Sequence, residues 1–403
     1  MNLTRALDSL AAVAVIAALA PVVTALVRPR FPQVVFLIAG GVLIGPHMAG
    51  IARVGDLVLF SNIGLGFLFL LAGYELDPRL FGRRPGRLAV VGWVVAAVLA
   101  TGVVAALTAA GLVRDYIPVG LALTTTALGT LLPILQDNDM LRSGALGPCI
   151  MAAGAVGELF PILAISLFLG ARGSFVALIS IVATAVLAYL LTLVPRIKRG
   201  ARIHRIVQEG QHATSQTTLR WSIVLLTILL AVASEFGLDV VLGAFVAGMV
   251  LRRSTPGDVR ALEGKLDAVG YGFFIPLFFV VSGMQLNIVS IAHTPGRLLI
   301  FFVLMLAVRG LPSMIIYRGV LDRGRRFEMT LLTATSLPLI VALADIGLAD
   351  GVMLPANAAA LVGAGALSVL VYPTFAVALN KRRRARLAEA ASRPVGEPAS
   401  RPA

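Results

Sequence analysis

One carboxylate stands alone in a stretch that is otherwise apolar. Glu158 lies in Ala152-Ala-Gly-Ala-Val-Gly-Glu-Leu-Phe-Pro-Ile-Leu163, with no basic residue inside one helical turn. An ionisable group at mid-membrane depth costs roughly 2.5–3.5 kcal/mol to insert, and such residues usually face a cavity and mark an ion or proton path. A carboxylate can hold either a proton or a monovalent cation, which is the chemistry of exchange. The plainer alternative is a buried, protonated Glu158 bonded to nearby backbone. Arg309, in Leu306-Ala-Val-Arg-Gly-Leu-Pro312, is the one cation placed deep in an apolar segment. It is read as charge-compensating: it either neutralises carboxylates or faces the C-terminal ends of broken helices. Snorkelling to an interface is its ordinary alternative.

Two hydroxyl clusters accompany helix breakers. Thr124-Thr125-Thr126 precedes Gly129 and Pro133, and Thr333, Thr335 and Ser336 precede Pro338. Proline removes a backbone donor and frees a carbonyl one turn back. Threonine side chains can satisfy the exposed groups. Hard cations prefer oxygen ligands, so the expected proton- and cation-binding set is Glu158, Thr124, Thr126, Thr335 and Ser336. Two ordinary proline kinks are the competing reading. Asp345, seven residues beyond Pro338, lines an outer vestibule or merely ends a helix. Glu75, Asp77, Glu235 and Asp239 fall where helices should end and read as caps or interfacial groups. The sequence shows no nucleotide loop, no nucleophile–base arrangement and no metal-ligand spacing. No enzymatic activity, no cofactor and no metal beyond a transported cation are therefore expected.

The elements that must position these residues are membrane helices. The 403 residues are 58% hydrophobic and 13% charged, with a mean hydropathy of +0.93. That is too little polar surface to dress a soluble protein of this length. Thirteen spans are expected, at 7–27, 31–49, 56–75, 87–110, 115–136, 145–170, 174–195, 219–236, 238–251, 266–286, 296–317, 328–348 and 354–379. The first is too long for a signal-peptide core and lacks a preceding basic region, so it is read as retained. With the N-terminus outside, 28 of the 34 Lys and Arg fall in cytoplasmic segments, five fall outside, and Arg309 remains. This asymmetry supports a cytoplasmic C-terminus in a multi-pass plasma or inner membrane protein. The net charge of +14 is then a basic lip facing anionic lipid. Nucleic acid is not an expected partner, because Lys381-Arg-Arg-Arg-Ala-Arg386 carries no aromatic platform. The single Cys149 excludes an intrachain disulfide, and the four histidines form no metal pattern.

The chain also repeats itself. Ala39-Gly40 pairs with Ala247-Gly248, Gly73 with Gly283, and Thr124 with Thr333, at offsets of 208, 210 and 209 residues. Partner spans are seven apart, an odd number, so the copies cross in opposite directions. Inverted repeats at 1–170 and 219–380 follow, joined by 171–218, and a transport site belongs at their interface. Gly40, Gly41, Gly45, Gly73, Gly248 and Gly283 are expected to let helices approach closely. The basic tail 381–403 is expected to be disordered.

Taken together, Phe31-Pro-Gln-Val-Val-Phe-Leu-Ile-Ala-Gly-Gly-Val-Leu-Ile-Gly-Pro46, Gly64-Leu-Gly-Phe-Leu-Phe-Leu-Leu-Ala-Gly-Tyr-Glu-Leu-Asp77, Leu242-Gly-Ala-Phe-Val-Ala-Gly248 and Phe274-Ile-Pro-Leu-Phe-Phe-Val-Val-Ser-Gly283 carry a resemblance. The chain resembles the cation:proton antiporter 2 family, the sodium/hydrogen-exchanger and Kef-type group, over residues 1–380. The resemblance implies an all-α fold of two inverted repeats with discontinuous crossed helices. It also implies a homodimer formed by spans 1–3 and 8–10, and a core of spans 4–6 and 11–13 that moves like an elevator. It places the family's essential carboxylate on Glu158 and its basic residue on Arg309. Two departures stand out. The family usually has Asp at position 158, preceded by Asp, Asn or Gln, where this chain has Gly157. Many Kef-type members also carry a cytosolic nucleotide-binding domain that these residues lack. The expected function is electroneutral exchange of Na⁺ or K⁺ for H⁺. A sodium-coupled symporter of an organic anion on the same plan is the alternative.

Overall fold

The computed structural model describes residues 3–27, 33–75, 82–113, 116–141, 144–169, 216–235, 240–254, 259–286 and 295–392, with isolated helical positions between 178 and 186. The described residues form helices and no strand. In chain order these are α1 (Leu3–Val27), α2 (Gln33–Ile44), α3 (Val58–Glu75), α4 (Arg84–Ala109), α5 (Tyr116–Leu123), α6 (Leu128–Asp137), α7 (Leu146–Phe168), α8 (Thr217–Glu235) and α9 (Val240–Ser254). There follow α10 (Val259–Val269), which runs through a π turn at Gly270–Phe274 into α11 (Ile275–Gln285), and α12 (Pro295–Met305), whose π turn Leu306–Gly310 leads to α13 (Pro312–Ile316). The last are α14 (Arg323–Thr333), α15 (Pro338–Ala349) and α16 (Pro355–Ser392). Among the described residues nine helical stretches are long and apolar enough to cross a membrane, and Gln33–Ile44 and Tyr116–Leu132 are shorter apolar pieces. Every expected span has its helix except 174–195, which falls almost wholly outside the described residues.

Glycine sets how closely the helices meet. A Cβ on Gly41 would strike the Val280 carbonyl, and one on Gly283 would strike that of Ile38, so α2 and α11 touch backbone to backbone. Gly73 meets the Phe245 carbonyl and Gly248 meets that of Leu70, which brings α3 against α9 in the same way. The two contacts exchange partners under the roughly 209-residue offset of the repeat. With α1, α8 and α10, these four helices pack around Phe67, Leu70, Phe245, Phe278 and Phe279, in an apolar core that continues into α4, α5, α7, α15 and α16. Close glycine-mediated approach adds dispersion contact where lipid offers no hydrophobic drive of its own.

The remaining helices, α4–α7 and α12–α16, hold the two interruptions. Residues Thr124–Ala127 part α5 from α6, and Ala334–Leu337 part α14 from α15. Pro338 opens α15, where its missing donor costs nothing. Pro133, by contrast, lies inside α6, so the first break precedes both breakers expected to cause it. A second departure concerns the basic tail: α16 continues through Ser392, so 381–392 is helical where disorder was expected. Arg383 and Asn380 both bond the buried Glu328 of α14, at 3.0 Å each, and Arg384 donates to the Asp139 carbonyl. These anchors offset the entropy of ordering a polar helix. Residues 393–403 fall outside the described part.

Candidate ion-binding site

The two unwound segments cross. The Ala127 amide donates to the Thr335 carbonyl at 2.9 Å, and the Thr125 and Ser336 hydroxyls lie 2.6 Å apart. α5 and α14 therefore end at the crossing, and α6 and α15 begin there. This juxtaposes two negative and two positive helix ends within hydrocarbon.

Glu158 answers one positive end. Its Oε1 accepts from the Leu128 amide at 2.7 Å and from the Gly129 amide at 3.4 Å, both in the first turn of α6. The other oxygen, Oε2, accepts no hydrogen bond among the described residues. Glu158 is buried, yet it borders a cavity of about 600 Å³ between the two groups of helices. Tyr271, Thr130, Asn138 and Glu75 share the wall, and Gln33 and Lys381 stand at the mouth. The mouth is thus at the Arg- and Lys-rich end of the molecule.

Arg309 answers the negative ends. It is buried in the π turn after α12, where its Nε donates to Thr126 Oγ1 and its Nη2 to the Ala153 carbonyl, both at 2.9 Å. Thr126 Oγ1 in turn donates to the carbonyl of Thr333, the last residue of α14, at 2.7 Å. Arg309 therefore reaches the end of α14 only through the Thr126 hydroxyl, and it makes no ion pair among the described residues. Gly157 explains how it fits. A Cβ there would lie 2.6 Å from Thr126 Cβ and 2.8 Å from Arg309 Nη2. The guanidinium fills the space that a side chain at 157 would take.

The other expected ligands hold the crossing together. Thr124 Oγ1 donates to the Leu121 carbonyl at 2.8 Å, Thr335 Oγ1 to that of Leu331 at 3.1 Å, and the Ser336 amide to Ser368 Oγ at 3.1 Å. None of Thr124, Thr126, Thr335 and Ser336 borders the cavity. Asp345 does not line it either: Oδ2 accepts from Ser282 Oγ at 2.7 Å, in a contact between α15 and α11. Glu75, expected to be a cap or an interfacial group, instead puts its carboxylate in the same cavity as Glu158. Asp77 and Asp239 lie outside the described residues. Sequence reasoning missed Thr130 and Tyr271. Thr130 is one residue past the Gly129 singled out as a breaker, and Tyr271 lies on a π turn that no pattern of residue types announces.

The family model described as "Sodium/hydrogen exchanger, transmembrane" matches residues 13–381. The chain belongs to the sodium/hydrogen exchanger family. It is 27% identical over 363 residues to a putative Na⁺/H⁺ antiporter, YjbQ, of Bacillus subtilis, covering 84% of this chain and 57% of that one. It is 24% identical over 292 residues to a probable Na⁺/H⁺ antiporter of Methanocaldococcus jannaschii, covering 69% and 72%. It is also 27% identical over 378 residues to the glutathione-regulated potassium-efflux protein KefC of Salmonella arizonae, covering 90% and 59%. The chain thus spans under three-fifths of the length of YjbQ and KefC. The fold matches that of the sodium proton antiporter MjNhaP1 from M. jannaschii at pH 8, with a TM-score of 0.59, 17% identity, and coverage of 96% of this chain and 99% of that one. As a member of this family the chain is a multi-pass membrane protein of the antiporter fold.

Proposed function

We propose that this chain is a secondary active transporter that exchanges Na⁺ or K⁺ for H⁺, with Glu158 as the shared site. The observation that carries the reading is the divided carboxylate. One oxygen of Glu158 is fixed by the amides that open α6, the other accepts no hydrogen bond among the described residues, and the residue lines a cavity that reaches Lys381 at the basic end of the molecule. The amides hold the group in place whether it carries a proton or a metal ion, so one ligand can displace the other without rebuilding the site. Relatives named as Na⁺/H⁺ antiporters and as a potassium-efflux protein support a monovalent cation as the partner of the proton.

Alternating access then requires the helices that hold the crossing to move against the body of α1–α3 and α8–α11. The cavity and the Ser282–Asp345 contact both lie on that boundary, at different heights along α11 and α15, which suits an elevator step. The positive-inside count makes the cavity mouth cytoplasmic and the N-terminus external. The first body has an exposed apolar face on α1, at Leu7, Val15 and Val22, that suits either lipid or a second copy in a homodimer. The test is proton flux in proteoliposomes driven by Na⁺, K⁺ or Li⁺ gradients. Exchange with at least one cation supports the reading, and movement of an organic anion with Na⁺ in place of proton exchange overturns it.

A further inference from the structure

Thr130 occupies the third position of α6, one residue beyond the Gly129 amide that faces Glu158. Helical threonines usually fold their hydroxyl onto the carbonyl one turn back. Thr24, Thr101 and Thr374 of this chain do so, at 2.7, 2.9 and 2.7 Å. For Thr130 that carbonyl belongs to Thr126, in the unwound segment, and the Thr130 hydroxyl is buried with no hydrogen-bond partner. Thr218 and Thr330 also have unpartnered hydroxyls but border no part of the cavity, whereas Thr130 lines it with Glu158. A buried hydroxyl without a partner forfeits about 1–3 kcal/mol of desolvation. A ligand that supplies the missing contact accounts for its placement.

We propose that the Thr130 hydroxyl is a ligand of the transported cation, acting with the free oxygen of Glu158 to form the protein's share of its oxygen shell. The proposal rests on Glu158 being the exchange site. Water in the cavity supplies the remaining ligands. A threonine hydroxyl offers lone pairs to a metal ion but does not take up the transported proton at working pH. Its influence therefore falls on the cation-bound state alone. Its stiff, branched side chain also sits on the same turn that fixes Glu158, so the two oxygens keep a set spacing. That spacing makes Thr130 a specificity-determining residue among Li⁺, Na⁺ and K⁺.

The experiment compares wild type, Thr130→Val and Thr130→Ser in proteoliposomes, reading proton flux against graded Li⁺, Na⁺ and K⁺. The valine variant keeps the side-chain shape and removes the oxygen. It is expected to raise the KM of the preferred cation about tenfold, the worth of about 1.4 kcal/mol, and to blunt the ranking of the three ions. Maximal rate and its pH profile at saturating cation should stay near wild type, and serine should restore the KM. A merely structural role for Thr130 would instead lower the maximal rate for every ion alike. If the valine variant does not fold, Thr130→Ala carries the same comparison, with the cation dependence of thermal stability in detergent as a second readout. Wild-type exchange with an unchanged KM and ranking in these variants overturns the ligand role of Thr130 and leaves Glu158 standing. Wild-type vesicles that move no protons against any of the three ions overturn both.

Discussion

Ser282 donates a 2.7 Å hydrogen bond to Asp345 across the boundary between the two groups of helices. Along α11 and α15, the cavity-lining residues Ile275, Pro276, Pro338 and Leu339 come first, and Ser282 and Asp345 lie farther from the cavity. The contact therefore closes the side opposite the opening. The proposed movement of the crossing helices would break it. In a Ser282→Cys/Asp345→Cys protein, oxidation should join the two groups and stop exchange, and a reductant should restore it. Cys149 is the sole native cysteine and is buried, so the background is quiet. Normal exchange in the fully cross-linked protein would show that this boundary does not move.

Glu158 should behave as a site of competition. Protons and cations exclude each other from the same carboxylate, so lowering the pH protonates Glu158 and raises the apparent KM for cation. Raising the pH does the reverse, until proton supply limits the rate. Glu158→Gln keeps an acceptor for the Leu128 amide but holds neither charge nor exchangeable proton, so flux should fall to that of empty vesicles while the protein stays folded. Glu158→Asp should keep partial activity with a displaced pH optimum, because the shorter side chain reaches the α6 amides less well. Near-normal exchange in the glutamine variant, measured with the same proton-flux assay, would remove Glu158 from the mechanism.

Gly157 and Arg309 form a steric pair, and this makes a stability prediction. A methyl group at 157 must displace either Thr126 or the guanidinium, both of which are buried and bonded. Overpacking of that kind typically costs about 1–3 kcal/mol. Gly157→Ala should lower the melting temperature in detergent, and Gly157→Asn should lower it further. Arg309→Ala in the Gly157→Ala background tests the pairing: it removes the guanidinium's share of the clash and frees room for Thr126 to shift, so the two losses should be clearly non-additive. Strictly additive losses would mean that the two residues do not share the space.

Much of this arrangement was legible in the sequence because the bilayer restricts what can be built. Apolar run length fixes the spans, and the glycine pairs Gly41/Gly283 and Gly73/Gly248 appear where repeat and close packing demand them. A lone Glu158 in an apolar run marks the proposed site. What residue types alone do not reveal is how the hydroxyls are used. Thr126 and Thr130 are alike in sequence, but one donates to Thr333 while the other has no partner, because only the first lies in the unwound segment. Glu75 was misread for a related reason: a helix-end carboxylate caps in one packing and lines a cavity in another. The helical course of 381–392 depends on the distant Glu328, which no local pattern records.

The placement of Glu75 sharpens the question of charge movement. One carboxylate neutralises one proton or one monovalent cation, and Arg309 keeps its charge throughout because a guanidinium is not deprotonated in this setting. If Glu158 alone titrates during the cycle, the moving helices carry the same net charge in both directions. Glu75 ends α3, in the body set against those helices, so in the proposed elevator step it would not travel with the ion. Exchange should then be electroneutral. In proteoliposomes, a K⁺-diffusion potential set with valinomycin should leave the Na⁺/H⁺ exchange rate unchanged at either sign. A rate that rises under one sign and falls under the other would require a second charge per cycle. Repeating the measurement with Glu75→Gln would then assign it: restored indifference to voltage names Glu75, the second carboxylate in the cavity, and a persisting dependence points to Asp345.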